Sequence, residues 1–143
     1  TTMILLDTPL LSLAYRRKYR LAEEKPPEVK ILQSLIEEDE PLAIPGIVFQ
    51  EFLSGVREEA QFQKLLELAQ GFSIILATDQ HHLEAARIAN ACRRAGVITS
   101  ASDCLIAAIA IEQQAQLFTT DQDFVYMARH CPLRLFSNLV LAK

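Results

Sequence analysis

The feature that most constrains this sequence is the alternation of short apolar segments with longer segments of helical periodicity. The predicted strands are MILL (3–6), PLAIP (41–45), FSIILA (72–77) and QLFT (116–119), with LRLFS (133–137) as a possible edge strand. Strands that are separated by helices run parallel, and helices then cover both faces of the sheet. We therefore expect an α/β fold with a parallel sheet of four to five short strands flanked by helices.

Predicted helices fill the intervals between these strands. The first begins with Thr8 as its N-cap and Pro9 at its first helical position, and it runs to Glu24. Asp79 is expected to cap a long helix that Gly96 ends. The other predicted helices span 28–39, 47–57, 60–70 (closed by Gly71), 102–115 and 123–130, and the histidines His81, His82 and His130 are expected at the surface.

Size and composition exclude several classes of protein. The chain has 143 residues, half of them hydrophobic, which fits a single domain over residues 1–143 with a sizeable core. No apolar run approaches the roughly 18–20 residues of a membrane span, and we expect no signal peptide before the first strand. Cys92, Cys104 and Cys131 form no Cys-x-x-Cys pair, which favours a reducing, cytoplasmic setting over a zinc knuckle.

Acidic residues stand at the joints where a parallel sheet places its ligands, the carboxyl ends of the strands. Asp7 follows the first predicted strand and Asp121 the fourth, with Asp123 two residues later as a helper or as the cap of the next helix. Asp103 begins an apolar helix, at capping-box spacing from Ser100. Taken singly, each of these acids has an ordinary explanation as a turn or cap residue.

A fourth acid, Glu51, lies in a predicted helix, between Ile47 and Val48 on one side and Ser54 and Gly55 on the other. It borders the apolar face, although a surface glutamate is the simpler interpretation. If the four carboxylates converge, their repulsion must be relieved by protonation or by a bound cation. Ligation by oxygen alone favours Mg²⁺ or Mn²⁺ over zinc.

Four segments carry a resemblance to a known family: MILLDT, IPGIVFQEFLSG, SASDCLIAAIA and LFTTDQDF. In order and spacing, over nearly the whole chain, they resemble the acidic motifs of PIN-domain ribonucleases, most closely those of VapC-type toxins. The resemblance implies a PIN-like three-layer fold and a Mg²⁺- or Mn²⁺-dependent endoribonuclease that leaves 5′-phosphate and 3′-hydroxyl ends. The corresponding catalytic and metal-binding residues are Asp7, Glu51, Asp103 and Asp121, with Asp123 as a further metal ligand and Thr8, Thr119 and Thr120 in support. Pro9 and the serine-rich stretch before Asp103 depart from the family pattern.

The same resemblance implies three partners: an RNA substrate, a small antitoxin whose C-terminal segment blocks the acidic groove, and a second copy in a homodimer. The predicted helices around 10–20 and 47–70 are the candidates for the antitoxin cleft. A net charge of −4 weighs against RNA, but setting aside the four site acids leaves fourteen basic and fourteen acidic residues. The basic run YRRKYR is a candidate for RNA or partner contact through Arg16, Arg17, Lys18 and Arg20, with Tyr15 and Tyr19 for stacking, and a solvated helix face explains it equally well.

Other classes of protein compete with this interpretation. A haloacid-dehalogenase-like phosphatase needs a second aspartate where Pro9 stands, and a receiver domain needs a phosphorylated aspartate after the third strand, where Asp79 is expected to be a helix cap. A non-catalytic PIN-like RNA- or protein-binding domain would have lost one or more of the acids. A stand-alone PIN nuclease of RNA processing remains the main alternative to a toxin. The sequence leaves open which RNA is cleaved and whether one or two metal ions bind.

Overall fold

The fully apolar segment Ile4–Leu6 forms the central strand of the sheet, and the rest of the fold is arranged around it. The computed structural model describes residues 2–137. Within them the sheet has five strands: β1 (Ile4–Leu6), β2 (Leu42–Pro45), β3 (Ser73–Ile75), β4 (Gln116–Phe118) and β5 (Arg134–Leu135). All neighbouring strands are parallel, in the order β3-β2-β1-β4-β5. The predicted parallel α/β fold is confirmed, including the short edge strand.

Seven α-helices flank the sheet in the described part of the chain. They are α1 (Thr8–Tyr15), α2 (Pro27–Glu37), α3 (Gly46–Leu53), α4 (Glu59–Gln70), α5 (Asp79–Arg94), α6 (Ala101–Glu112) and α7 (Gln122–Met127), with a 3₁₀ turn at Ala22–Glu24. None of the helices within residues 2–137 combines the length and apolarity that crossing a membrane requires.

The strand order places a topological switch point beside β1. The chain moves outward from β1 through β2 to β3 on one side, then returns to place β4 and β5 on the other. Leu6 pairs with Phe118, so the residues that follow them, Asp7 and Thr119, leave the sheet side by side. Ligands of open parallel sheets bind in the crevice at such a point.

Helix α6 supplies much of the core. Six of its residues are buried, and Ile109 and Ala110 are completely excluded from solvent. The helix packs against α5 on one side and contacts β4 and α3. A helix that is apolar on all sides is stable only when surrounded in this way, so its N-terminus is held at a fixed place above the sheet.

The prediction of one long helix from Thr8 to Glu24 is wrong. Helix α1 ends at Tyr15, and the basic run that follows forms a turn. The hydroxyl of Tyr19 donates to the carbonyl of Leu13 at 2.8 Å, which folds this turn back on α1. Five consecutive exposed or half-exposed polar residues leave no apolar stripe to bury, and most helical stability comes from burying such a stripe. The helix predicted for 47–57 likewise stops early, at Leu53, ahead of Gly55 with φ +82°.

Two capping predictions are wrong and two are confirmed. Asp7 caps α1 in place of Thr8, and Thr78 caps α5 in place of Asp79. Gly71 caps α4, and Gly96, at φ +80°, follows the end of α5, as predicted.

The prediction that His81 lies at the surface is also wrong, since its exposed fraction is 4%. Its Nδ1 accepts the backbone N–H of Thr78 at 2.9 Å, and its Nε2 lies 2.7 Å from Oε1 of Glu112. The ring therefore closes a capping box at the start of α5 and joins it to the end of α6. His82 is exposed as predicted, and His130 is half-buried.

Candidate active site

Asp7 is a fully buried carboxylate at the carboxyl end of the central strand. Its Oδ1 accepts the backbone N–H of Leu10 at 3.0 Å, which caps α1, and its Oδ2 accepts the hydroxyl of Thr119. Hydrogen bonds at both oxygens hold the carboxylate in one orientation. Thr119, which follows β4, therefore positions Asp7, which follows β1.

Thr119 also connects Asp7 to the turn that carries Asp121. Its hydroxyl oxygen accepts the backbone N–H of Asp121 at 2.9 Å. Asp121 in turn accepts the N–H of Asp123 at 2.9 Å, so Asp121 caps α7 and the alternative that Asp123 is the cap is wrong. Of the two candidate threonines, Thr119 makes these contacts, while Thr120 is exposed and outside the cavity lining.

Glu51 reaches the site from α3, which packs against α1. The hydroxyl of Thr8 donates to its Oε1 at 2.9 Å. Glu51 is half-buried, in contrast to the simpler expectation of a surface glutamate. Thr8 therefore orients an acid that comes from a different part of the chain.

Asp103 sits in the first turn of α6, as predicted. Ser100 caps this helix by accepting the Asp103 backbone N–H at 3.1 Å. The Asp103 side chain is half-buried. The buried residues that follow it in α6 fix the position of this helix, and hence of Asp103, relative to the sheet. An acid in this first turn also faces the positive end of the helix dipole.

The four acids lie around a single open cavity of about 290 Å³. Its lining consists of Asp7, Thr8, Pro9, Glu51, Asp103, Ile106, Asp121 and Phe124. One carboxylate oxygen from each of Asp103, Asp121 and the exposed Asp123 lies within 4.8 Å of the other two. Asp7 and Glu51 contribute to the wall outside this tighter group.

Two of the cavity carboxylates, Asp7 and Asp103, have a raised pKa. Burial, the largest cause, raises the pKa of Asp7 from 3.8 to about 6, and the charges of Asp121 and Asp103 add to it against the lowering hydrogen bonds from Thr119 and Leu10. Burial also raises the pKa of Asp103, and the charges of Asp121, Glu51 and Asp123 raise it further, while a hydrogen bond with Ser100 lowers it. The negative charge of the cavity is therefore only partly compensated by the protein.

The donor set fits a hard divalent cation. Every ligating side chain at the cavity offers oxygen, and no Lys, Arg or His belongs to the lining drawn from residues 2–137. Mg²⁺ and Mn²⁺ prefer carboxylate and water oxygens, whereas zinc sites use His and Cys. A cation at this place would neutralise charge that otherwise raises the pKa of Asp7 and Asp103.

Three lining residues were absent from the sequence-based candidates: Ile106, Phe124 and Pro9. Ile106 lies three residues after Asp103 and Phe124 three after Asp121, and helical residues at this spacing share a face. The spacing could therefore have identified the first two as the apolar wall. Pro9 was predicted as the first helical residue after Thr8 and as a departure from the family pattern, but not as part of the site.

The basic candidates do not join the acidic cavity. Arg16, Arg17 and Lys18 are exposed beyond the end of α1 and line a separate groove with the start of α4. Arg20 is exposed as well, and its backbone N–H donates to the Glu24 carboxylate at 3.2 Å. Any contribution of these side chains to RNA binding must therefore be made at a distance from the acids.

The fold and site together define a class: parallel α/β proteins with an all-carboxylate cavity at the switch point of the sheet. The family model described as PIN domain matches residues 5–130. The chain belongs to the PIN-domain family, which confirms the resemblance seen in the four acidic segments.

Two mycobacterial ribonucleases match most of the chain. VapC ribonuclease Mb1587 of Mycobacterium bovis is 33% identical over 129 residues, which cover 89% of this chain and 92% of that protein. Ribonuclease VapC11 of Mycobacterium tuberculosis matches with the same figures.

Solved structures agree with the fold. VapBC2 from Rickettsia felis, bound to a DNA fragment from its promoter, matches with a TM-score of 0.73 and 22% identity, covering 94% of this chain and 97% of that one. FitAcB from Neisseria gonorrhoeae matches with a TM-score of 0.71 and 23% identity over the same shares. These matches confirm the predicted PIN-like fold.

Proposed function

We propose that this protein is a metal-dependent endoribonuclease that hydrolyses RNA phosphodiester bonds, and that it is the toxin of a VapBC-type toxin–antitoxin pair. The observation that carries the proposal is the convergence of four carboxylates, distant in sequence, on one cavity without a basic side chain in its lining among residues 2–137. The two relatives at 33% identity are named as VapC ribonucleases, which supports the same activity here. The match over residues 5–130 supports a single PIN domain for residues 1–143.

Asp103, Asp121 and Asp123 are the proposed primary metal ligands because their oxygens lie closest together. Asp7 and Glu51 complete the site from β1 and α3. When bound, Mg²⁺ or Mn²⁺ acidifies a water molecule and offsets negative charge on the phosphate and the leaving oxygen.

The chain's own residues orient these groups and shape the site. Thr119 and the Leu10 N–H hold Asp7, and Thr8 occupies Oε1 of Glu51, which leaves Oε2 for a cation or for a proton released by the attacking water. Ile106 and Phe124 form an apolar wall, which lowers the local dielectric and strengthens the attraction between carboxylates and cation.

A small antitoxin is the proposed protein partner. Structural neighbours include a toxin–antitoxin complex from Klebsiella pneumoniae, with a TM-score of 0.63 and 21% identity. Blockage of the acidic cavity by an antitoxin segment stays a prediction, as does the placement of the antitoxin along 10–20 and 47–70. Co-purification with the product of a neighbouring open reading frame would test whether such a partner binds.

A homodimer and a cytoplasmic location complete the proposal. Ile74 and Leu76, at the edge strand β3, are 38% and 73% exposed and offer an apolar surface for a second copy. Light scattering of the purified protein would test for the dimer by measuring its mass in solution.

The three cysteines are free, which supports a reducing compartment such as the cytoplasm.

The decisive experiment compares cleavage of single-stranded and structured RNAs in Mn²⁺, in Mg²⁺ and in EDTA. Asp103→Asn should abolish cleavage, whereas Asp39→Asn serves as the matched control because Asp39 is exposed, outside the cavity lining and, at φ 57°, in a conformation that Asn accepts. Cleavage that persists in EDTA would contradict the mechanism. Unimpaired growth on overexpression would contradict the toxin assignment and leave the nuclease intact.

A further inference from the structure

A second concave surface lies beyond the end of α1 and is opposite in charge to the acidic cavity. We define the basic groove as the depression of about 450 Å³ between the turn that follows Tyr15 and the start of α4. Arg16, Arg17 and Lys18 contribute from the turn, and Lys64 contributes from α4. Glu58 is the only acid in its lining among the described residues.

We propose that the basic groove binds the sugar–phosphate backbone of single-stranded RNA on one side of the scissile phosphate. The inference rests on the proposed ribonuclease activity, and it adds the position and nature of the substrate contact. It assigns Arg17 and Lys64 a role in holding RNA that is separate from the chemistry.

The distance between the two surfaces suits this role. Helix α1 begins beside Asp7 and has eight residues, so the groove starts about 12 Å from the acids along the helix axis. At a rise of about 3.4 Å per stacked nucleotide, this corresponds to about three or four nucleotides. A single strand of this length can therefore span the distance between the acids and the groove.

The charges in the groove are available to a ligand. The ion pairs within residues 2–137 are His81–Glu112 and Arg87–Glu84, and neither involves a residue of the groove. All four cations are exposed. A polyanion approaching the acidic cavity is repelled by its carboxylates, and a nearby group of cations outside any ion pair reverses this effect at short range.

The tyrosines of the basic run anchor the groove. Tyr15 packs edge-on against Phe52 with ring centroids 6.5 Å apart, and Tyr19 donates its hydroxyl to Leu13. The two tyrosine rings thus fix the backbone of the turn, and the basic side chains of the groove are left to contact the RNA phosphates. A groove of this kind binds phosphates regardless of the bases between them.

The groove lies within the segments 10–20 and 47–70 that are proposed for the antitoxin, and its charged lining favours RNA at this place when the antitoxin is absent. Grooves that accept an amphipathic helix present apolar side chains for its anchors. Here Leu65 is buried at 2% exposure and Tyr15 is used in packing, so charged groups dominate the accessible surface. Binding of an acidic antitoxin segment at the same place is a separate outcome of the test below.

The test uses the full chain without antitoxin and compares Arg17→Gln/Lys64→Gln with Arg87→Gln/Arg134→Gln. Both variants lose two positive charges, but Arg87 is on α5 and Arg134 begins β5 at the edge of the sheet. The charge-preserving variant Arg17→Lys/Lys64→Arg checks that charge, and not side-chain shape, carries the effect. Thermal melts establish that all variants fold.

For a 12-nucleotide single-stranded RNA at 0.1 M salt, each lost phosphate contact should weaken binding about 5-fold, because the salt slope is about −0.7 per contact. We expect KM to rise about 25-fold in the groove variant with kcat within about twofold, and the salt slope of binding to fall by about 1.4. A substrate with a single nucleotide on either side of the scissile bond should show no difference between the variants. The control and the charge-preserving variant should match the wild type on both substrates.

Equal KM values for the groove and control variants on the long RNA would overturn the proposal and leave the nuclease assignment standing. The same holds if the groove variant loses only antitoxin binding. If the wild type cleaves no RNA, the nuclease assignment fails. Fluorescence anisotropy of the same RNA in EDTA then tests separately whether the groove binds RNA. An unchanged salt slope in that measurement would also overturn it.

Discussion

Replacing Asp7 by asparagine should make the metal-free protein more stable at neutral pH while abolishing RNA cleavage. The physical reason is that the fold holds a buried carboxylate whose pKa is raised from 3.8 to about 6. The protonated form is favoured in the folded state, so the stability associated with this group is fully present below pH 3.8 and is lost as the pH rises through 6. An asparagine side chain keeps the shape of the neutral acid at every pH.

The magnitude follows from the pKa difference. A rise from 3.8 to about 6 corresponds to about 3 kcal/mol lost by the wild type at pH 7.5. In the Asp7→Asn variant the amide oxygen still accepts the Leu10 N–H, but the amide nitrogen cannot accept the Thr119 hydroxyl, which costs about 1 kcal/mol. The expected net gain is about 2 kcal/mol at pH 7.5 and close to zero at pH 4.5, where only about 1 kcal/mol of the wild-type penalty persists.

The assay is urea unfolding in EDTA at both pH values, with Asp39→Asn as the control that removes an exposed carboxylate. Added Mg²⁺ should then stabilise the wild type by mass action, and the Asp7→Asn variant less. The reasoning is refuted if this variant is no more stable than the wild type at pH 7.5 in EDTA. It is equally refuted if any gain is the same at pH 4.5.

Three further perturbations test other parts of the structure. Thr119→Val removes the hydroxyl shared by Asp7 and the Asp121 N–H and should lower kcat/KM by about 10–100-fold, measured by steady-state RNA cleavage; an unchanged value would exclude a positioning role. His81→Ala breaks the capping box of α5 and should cost about 1–2 kcal/mol in urea unfolding with KM unaltered, and a raised KM would mean that α5 influences the site. Ile109→Ala opens a void in a fully excluded position of α6 and should cost about 2–5 kcal/mol; a loss below about 1 kcal/mol would show that the core can collapse around it.

Several features could be read from the sequence because they depend on local or periodic patterns. The alternation of apolar strands with helices predicted the parallel sheet. Since the carboxyl ends of parallel strands share one edge, it also indicated that Asp7, Asp103 and Asp121 would lie near each other. The apolar stretch 102–115 predicted a buried helix. The catalytic and metal-binding roles of these acids stay predictions until cleavage and metal binding are measured.

Errors arose where a tertiary contact competed with local preference. Thr8 has the local features of an N-cap, but its hydroxyl binds Glu51, and Asp7 caps α1 instead. The basic run has no helix breaker of its own, but it lacks an apolar stripe and is held as a turn through Tyr19. The sequence around His81 is typical of a surface residue. The ring is buried because it contacts Glu112, which is 31 positions away in the chain.

The sequence by itself determined the class of fold and the presence of acids at the sheet edge, because strand and helix periodicity and strand-end position are properties of short segments. Tertiary structure alone decided the strand order that opens a crevice beside β1, the approach of Glu51 through the packing of α3 on α1, and the meeting of Arg17 with Lys64 in one groove. These arrangements join residues that are far apart in the chain. They depend on which buried faces fit together, a property that no short segment contains.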